Sequence, residues 1–334
     1  MRYKPGYVMI NVLVTAVGSE LAFSIIKAIK LIAPPVGLIG CDIYPEVVGK
    51  YWCDSFHIVP PAKEEEDFIT CLRELVAERA IDVIIPTNDI EFFVLAKYKE
   101  HFLQTLNCHI LVNAPSEIER FNDKWRAYQW YQTKQLAAPQ TFLAEEVEAL
   151  RQQLLNMSYP LIVKPRRGGG SREIFKVDGF EELVNCLPLV TRPIVQEYLS
   201  GDDAEYTAGT YRTMANEVFV IVMKRTLKFG MTNTAQTVRD AGLESFCRQI
   251  ILNTDLVGAN NIQFRVTGDG PRILELNPRF SGTTGIRARF GFNEVAMWID
   301  EQVLNKAPSA PRVREGHVMR YMQEQYHFLD SDEA

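Results

Sequence analysis

Residues 7–18, YVMINVLVTAVG, form a continuous stretch rich in apolar and β-branched side chains, with Asn11 and Thr15 its polar members. A run of that kind suits a strand buried on both faces, the condition of a parallel sheet covered by helices. The next segments agree with it. Residues 19–32 carry Leu21, Ile25, Ala28, Ile29 and Ile32 at helical spacing. Residues 36–43 read as a second strand, 64–80 as an amphipathic helix, and 81–89 as a third strand ending in a polar loop. Residues 91–105 read as a helix and 108–113 as a fourth strand. Strands and helices alternating at this spacing predict a doubly wound parallel sheet over residues 1–115. A dinucleotide fingerprint would need three spaced glycines after the first strand, and TAVGSELA offers only Gly18. A nicotinamide cofactor is therefore not expected, although Asp42 ends the second strand.

From residue 116 the pattern changes. Residues 116–136 are helical, with Asn122 or Asp123 placed to cap a new helix beginning at Lys124. PLIVKP (160–165) reads as a strand, RRGGGSRE (166–173) as a glycine-rich loop and IFKV (174–177) as the returning strand. PIVQEYL (193–199) is another strand, and YTAGTYR and EVFVIVMKR continue as an antiparallel meander. The whole chain thus reads as α/β, with an α+β second half.

Two strands near the end carry an unusual polar face. NNIQFRV (260–266) and RILELNP (272–278) flank the turn cluster TGDGP. By strict alternation Ile273, Glu275 and Asn277 share one face, with Leu274 and Leu276 on the other. Closing the hairpin symmetrically about Asp269 sets Gln263 opposite Glu275 and Asn261 opposite Asn277, with opposed Cβ atoms roughly 5 Å apart. Gln263, Glu275 and Asn277 would then cluster oxygens of the kind Mg²⁺ takes, with Mn²⁺ as the alternative ion. A half-buried hairpin with a polar face is the plainer reading. Arg279 just beyond, a guanidinium beside such a cluster, suits a transferring phosphoryl group. Pro278 should end the strand, and Ser281 to Gly285 should lead onward to an acceptor pocket.

Lys164 with Gly168, Gly169, Gly170 and Ser171 can close over phosphates, since glycine lets backbone N–H groups approach them. The spacing is not that of a Walker A loop. Glu197, Tyr198 and Leu199 can offer backbone groups to an adenine edge, and Glu205 can accept from ribose hydroxyls. Lys224, Arg225, Arg287 and Arg289 read either as receptors of an acidic substrate or as solvated surface charge.

Composition excludes some classes. The 36 basic against 42 acidic side chains leave a net charge of −6, against a nucleic-acid surface. No 18-residue apolar segment and no signal-peptide cleavage pattern appears, so no membrane partner is expected. The six cysteines lie at no metal-binding spacing and read as reduced thiols, which places the protein in the cytoplasm.

In order along the chain come Lys124, Lys164 with the glycine loop, Glu197 to Leu199, Glu205, and then Gln263, Glu275, Asn277 and Arg279. That order resembles the ATP-grasp superfamily, and in particular proteins similar to the synthetase component of the carbamoyl phosphate synthase large chain. The resemblance covers nearly the whole chain, and LELNPRFSG is its most specific motif. It implies a pre-ATP-grasp Rossmann-like domain over 1–115, a small lobe with a glycine-rich lid over 116–192, and a large lobe with the metal site over 193–334. It also implies ATP and Mg²⁺ as cofactors. Lys124 and Lys164 would contact phosphates, residues 168–171 would form the lid, and Glu197 and Leu199 would meet adenine, with Tyr198 between them. Glu205 would hold ribose, Gln263, Glu275 and Asn277 metal, and Arg279 the phosphorylated intermediate. The implied chemistry is phosphorylation of a carboxylate and attack by an amine on the acyl phosphate, with a homodimer as the common assembly. Residues 224–237 lie where such proteins shape the substrate pocket, so Lys224 and Arg225, with Ser281 and Arg287 from later in the chain, are the substrate candidates. At 334 residues the chain is short for a whole synthase, so the expectation is a single-unit carboxylate–amine ligase. A nucleotide-binding regulator or partner without turnover is the alternative.

Overall fold

The computed structural model describes residues 9–32, 36–170, 173–200 and 205–326. Its first part is the expected parallel sheet: β1 (Asn11–Val14), α1 (Glu20–Ile29), β2 (Gly37–Asp42), β3 (Ser55–Ile58), α2 (Glu65–Arg79), β4 (Val83–Ile85), α3 (Asp89–Leu106) and β5 (His109–Ile110). The strand order is β3-β2-β1-β4-β5, all parallel. The sheet gains one strand over the sequence reading, β3. It is short, half-exposed and at the edge, so SFHI has no apolar run to betray it. Val12, Leu13 and Val14 are fully buried, as a strand covered on both faces must be. Ser19 caps α1, accepting from the Ala22 N–H at 3.0 Å.

The chain then passes through α4 (Pro115–Asn122) and α5 (Lys124–Thr133) into a four-stranded sheet. Its elements are β6 (Thr141–Leu143), α6 (Arg151–Leu155), β7 (Leu161–Pro165), β8 (Phe175–Val177), α7 (Phe180–Cys186) and β9 (Pro193–Glu197), with strand order β6-β9-β7-β8. The glycine-rich loop joins β7 to β8, which pair antiparallel.

A six-stranded sheet comes next, order β14-β13-β10-β11-β12-β15, antiparallel throughout. It comprises β10 (Glu205–Arg212), β11 (Val218–Lys228), β12 (Met231–Val238), α8 (Ala241–Leu252), β13 (Gly258–Thr267), β14 (Gly270–Asn277), α9 (Thr284–Arg289), α10 (Glu294–Gln302) and β15 (His317–Met319). One face packs on α8 through Ala208, Val222, Ile262 and Leu276. On the other, Tyr211, Ile221 and Met223 join a core shared with α1, α10 and the first sheet. Polar contacts reinforce that junction: Ser24 Oγ donates to the Gly282 carbonyl at 3.0 Å and accepts from the Gly285 N–H at 2.8 Å. Asn113 likewise donates to the Pro278 carbonyl at 3.0 Å.

All six cysteines are free thiols. Among the described residues no helix is long and apolar enough to cross a membrane.

At Gly258 the backbone is left-handed (φ +63°), and an added Cβ would lie 2.3 Å from the ring of the fully buried Trp298. Gly258→Val combines overpacking with backbone strain. It should lower stability by at least about 2 kcal/mol, read from the midpoint of urea unfolding. An unchanged midpoint would mean that the Trp298 packing is not as described.

Candidate active site

Asp123 separates α4 from α5. Its carboxylate accepts from the N–H groups of Trp125 and Arg126, both at 3.1 Å, and so starts a helix at Lys124. It also takes the Arg166 guanidinium at 2.7 Å, tying the helix start to the root of the glycine loop. Lys124 Nζ donates to the Gly168 carbonyl at 2.6 Å and lies 3.9 Å from Glu275 Oε1. Lys164, on β7, donates to Gln196 Oε1 at 2.7 Å. Burial, and then the nearby Lys124 charge, push the Lys164 ammonium down to about 8, against the pull of Glu275. For Glu275 burial acts to raise the pKa. Lys124, Lys164, Arg279 and a hydrogen bond from Asn277 outweigh it and hold the carboxyl below its usual range. Arg279 completes the group, its Nε 3.6 Å from Asp89 Oδ1 and its guanidinium over the Phe92 ring. Three cations thus converge on one carboxylate.

The hairpin that carries Glu275 is not symmetric. Near its turn Thr267 pairs with Gly270 and Phe264 with Ile273; beyond it Gln263 pairs with Glu275 and Asn261 with Asn277. The shift between Gln263 and Phe264 leaves Leu274 as an extra residue, a β-bulge. The expected pairing of Gln263 with Glu275 is therefore present, but strict alternation fails. Ile273 does not share a face with Glu275. It is fully buried beside Leu276, while Leu274 turns to the cleft.

That cleft holds about 770 Å³ and is lined by Lys124, Lys164, Gly168 to Gly170, Glu275 and Arg279. Gly168 and Gly170 take φ of +94° and +76°, and a Cβ on any of the three glycines would meet nothing within 4 Å. Glycine here serves backbone conformation rather than room. One neighbour does approach. An added Cβ on Gly230, between β11 and β12, would lie 2.4 Å from the Gly170 carbonyl oxygen. Ser171 lies outside the described residues.

A second cavity of about 130 Å³ adjoins the first, at Glu275, Asn277 and Arg279, with Ser281 and Thr283 in its wall. Glu20 and Asp89 line it too. Both stand at helix starts just past the carboxyl ends of β1 and β4, the adjacent strands where the parallel order reverses. Crevices for ligands form at such points. The sequence reading missed both acids, although the polar loop ending the third strand was a signal for Asp89.

Other expected site residues sit differently. Lys224 pairs across the sheet with Tyr206, on the α8 face with Phe264, and so points away from the cleft; neighbouring Arg225 faces it. Arg287 is not a substrate receptor. It is fully buried, donating to Glu294 at 2.6 Å, Ser281 Oγ at 2.8 Å and Asn261 Oδ1 at 3.0 Å. Gly209 makes room for it, since a Cβ there would lie 2.6 Å from the guanidinium. Arg225 donates to Glu205 at 2.8 Å and to Gln263 Oε1 at 3.0 Å. Glu205 lines the cleft but also meets Arg265 at 3.4 Å. Glu197, Tyr198 and Leu199 do not line the cleft. The Glu197 carboxylate is held by the Arg272 fork, the Tyr198 ring lies under Lys176, and the Leu199 carbonyl accepts from Arg265. Among the described residues no three His, Cys, Asp or Glu side chains gather at one point.

A family model for the ATP-grasp domain matches residues 121–283, and one for a PylC-like N-terminal domain matches residues 12–111. The carbamoyl phosphate synthase large chain of Synechocystis sp. is 22% identical over an alignment of 251 residues that covers 69% of this chain and 23% of that one. The chain thus spans about a quarter of that relative. Among solved structures, N5-carboxyaminoimidazole synthetase from Staphylococcus aureus superposes with a TM-score of 0.73 at 13% identity, over 96% of this chain and 84% of that one. The biotin carboxylase domain of the 2-oxoglutarate carboxylase of Hydrogenobacter thermophilus, in complex with MgADP, ADP and bicarbonate, gives 0.71 at 14% identity, over 93% and 74%. These likenesses establish a shared fold.

Arg287→Met leaves the buried Glu294 carboxylate unpaired and should cost about 3–5 kcal/mol in urea unfolding. Adding Glu294→Leu should recover much of that loss. A well-folded single variant with only a raised KM would instead make Arg287 a substrate contact.

Proposed function

We propose that this chain, which belongs to the ATP-grasp superfamily, is an ATP-dependent ligase that joins a small carboxylate to an amine. A carboxylate oxygen attacks the γ-phosphorus of ATP, the bond to ADP breaks, and an acyl phosphate forms. The amine nitrogen then attacks the acyl carbon and phosphate leaves, giving a C–N bond. The observation that carries this reading is the convergence of Lys124, Lys164 and Arg279 on Glu275 beneath the glycine loop. Phosphoryl transfer asks mainly for positioning and neutralisation of charge, and this cluster offers both. The shared fold of a synthetase and of a carboxylase bound to MgADP and bicarbonate supports the same chemistry.

The donor set fits Mg²⁺, which is usually held by one or two carboxylates and the substrate's own phosphates. Glu275 and Asn277 would hold it, and it would supply neutralisation between the phosphates. Gln263 fits less well, because its amide oxygen already accepts from the Arg225 guanidinium. Lys124 and Lys164 bind phosphate oxygens, and Arg279 holds the phosphoryl group as it moves toward the second cavity. Gly168 to Gly170, closing against Gly230, exclude water from the acyl phosphate. Glu205, fixed by Arg225 and Arg265, can accept from the ribose. The free thiols accord with a reducing compartment such as the cytoplasm.

Release of ADP across a panel of small carboxylates, each with and without amines, tests the reading. Nucleotide binding with no release across the panel would favour a regulator without turnover. Glu275→Gln should lower ADP release at least about a thousandfold while the circular dichroism stays native. Native-like turnover would remove Glu275 from the reaction.

Below about pH 8 Lys164 is charged; above it the neutral amine must take up a proton when phosphate binds. ATP affinity should therefore fall by about tenfold per pH unit above that value. In Lys164→Arg the profile should be flat, because arginine stays charged. A flat native profile would separate Lys164 from the phosphates.

A further inference from the structure

Beyond the small second cavity lies a groove of about 570 Å³, of the size that small-molecule sites usually have. Phe23, Met231, Ile286, Val318 and Met319 line it. Met319 at its edge is 67% exposed and Phe229 at its tip 85%. Large apolar side chains gathered this way in solvent mark a surface made to be covered. The cations at the rim are engaged: Lys228 lies over the Phe229 ring and Lys27 over the Trp52 ring. The groove is continuous with the site. It shares Glu20, Met231 and Thr232 with the second cavity. At the threshold Arg320 pairs with Glu20 and donates to the Gly282 carbonyl.

We propose that this groove receives the apolar chain of the carboxylate substrate. The carboxyl end lies in the second cavity beside Arg279, and the chain passes the Glu20–Arg320 pair. The proposal rests on the ligase reading and adds to it a class of substrate, a carboxylic acid with an alkyl or aryl tail. A charged pocket opening directly into an apolar groove matches a ligand with those two ends. The nucleotide would take the larger cleft, where Lys124 and Lys164 stand; the second cavity lacks both lysines, although Gly168 to Gly170 and Glu275 line the two alike. A tail against Met231 would also lie one residue from Gly230, which touches the glycine loop.

The test is calorimetric titration of the full chain with straight-chain carboxylates from acetate to octanoate, in the presence of Mg²⁺ and a non-hydrolysable ATP analogue. ADP release with ATP is measured for the same series, with and without the amine panel. Affinity should rise by about fourfold per methylene until the groove is full, with one ligand bound per chain. Met319→Asp should collapse the ratio of octanoate to acetate affinity. Met214→Asp, equally exposed but on the β10–β11 turn, should keep the native series. A flat native series alongside ADP release with short carboxylates would overturn the groove and leave the ligase standing. Rising affinity with no ADP release would keep the groove and overturn the ligase. A Met319→Asp variant that alters the sedimentation coefficient but not the series would make the groove a contact between copies, and the proposal would fall.

Discussion

Both antiparallel sheets and α5 meet at one carboxylate held by three cations. Glu275 stays ionised despite burial because Lys124, Lys164 and Arg279 outweigh the cost of desolvation. The Lys164 ammonium is pushed down first by its burial and then by the Lys124 charge beside it. Such an excess of positive charge beside a large cleft is neutralised when a polyanion enters. Each member comes from a different element: Lys124 from the start of α5, Lys164 from β7, Glu275 from β14, and Arg279 from the segment after Pro278. The site therefore exists only when both antiparallel sheets and the helix between them are in place.

Much of the support lies one contact further out. Asp123 starts α5 and anchors Arg166, so one buried side chain positions both Lys124 and the root of the glycine loop. Arg287, sealed against Glu294 and facing Gly209, holds Asn261 and Ser281 from beneath. The parallel sheet adds Glu20 and Asp89 at the point where its strand order reverses. Its docking through Ser24 and Asn113 places that point over the second cavity. The first unit is thus a wall of the site as well as a neighbour.

The parallel sheet was legible because strands buried on both faces cannot hide their composition. The start of α5 was legible because Asp123 has a local job that a sequence displays. The pairing of Gln263 with Glu275 comes from assuming a symmetric hairpin, and it is present because a bulge at Leu274 offsets a tighter turn. Two departures from the expectation compensate at the site end and not at the turn, which is why strict alternation puts Ile273 on the wrong face. Lys224 and Arg287 were beyond local reading. A cation's role depends on which face its strand shows and on whether an acid such as Glu294 meets it in the core. Glu20 was beyond local reading for a related reason, since only topology brings it to the second cavity, while Asp89 left just a polar loop as its signal.

Oxygen transfer tests the central claim most directly. A carboxylate that supports ADP release is supplied with oxygen-18 in its carboxyl group, together with ATP, Mg²⁺ and the amine. If the carboxylate is phosphorylated within this cluster, phosphate released in step with product carries one labelled oxygen. Unlabelled phosphate released alongside amide product would contradict an acyl phosphate formed at Glu275 and Arg279.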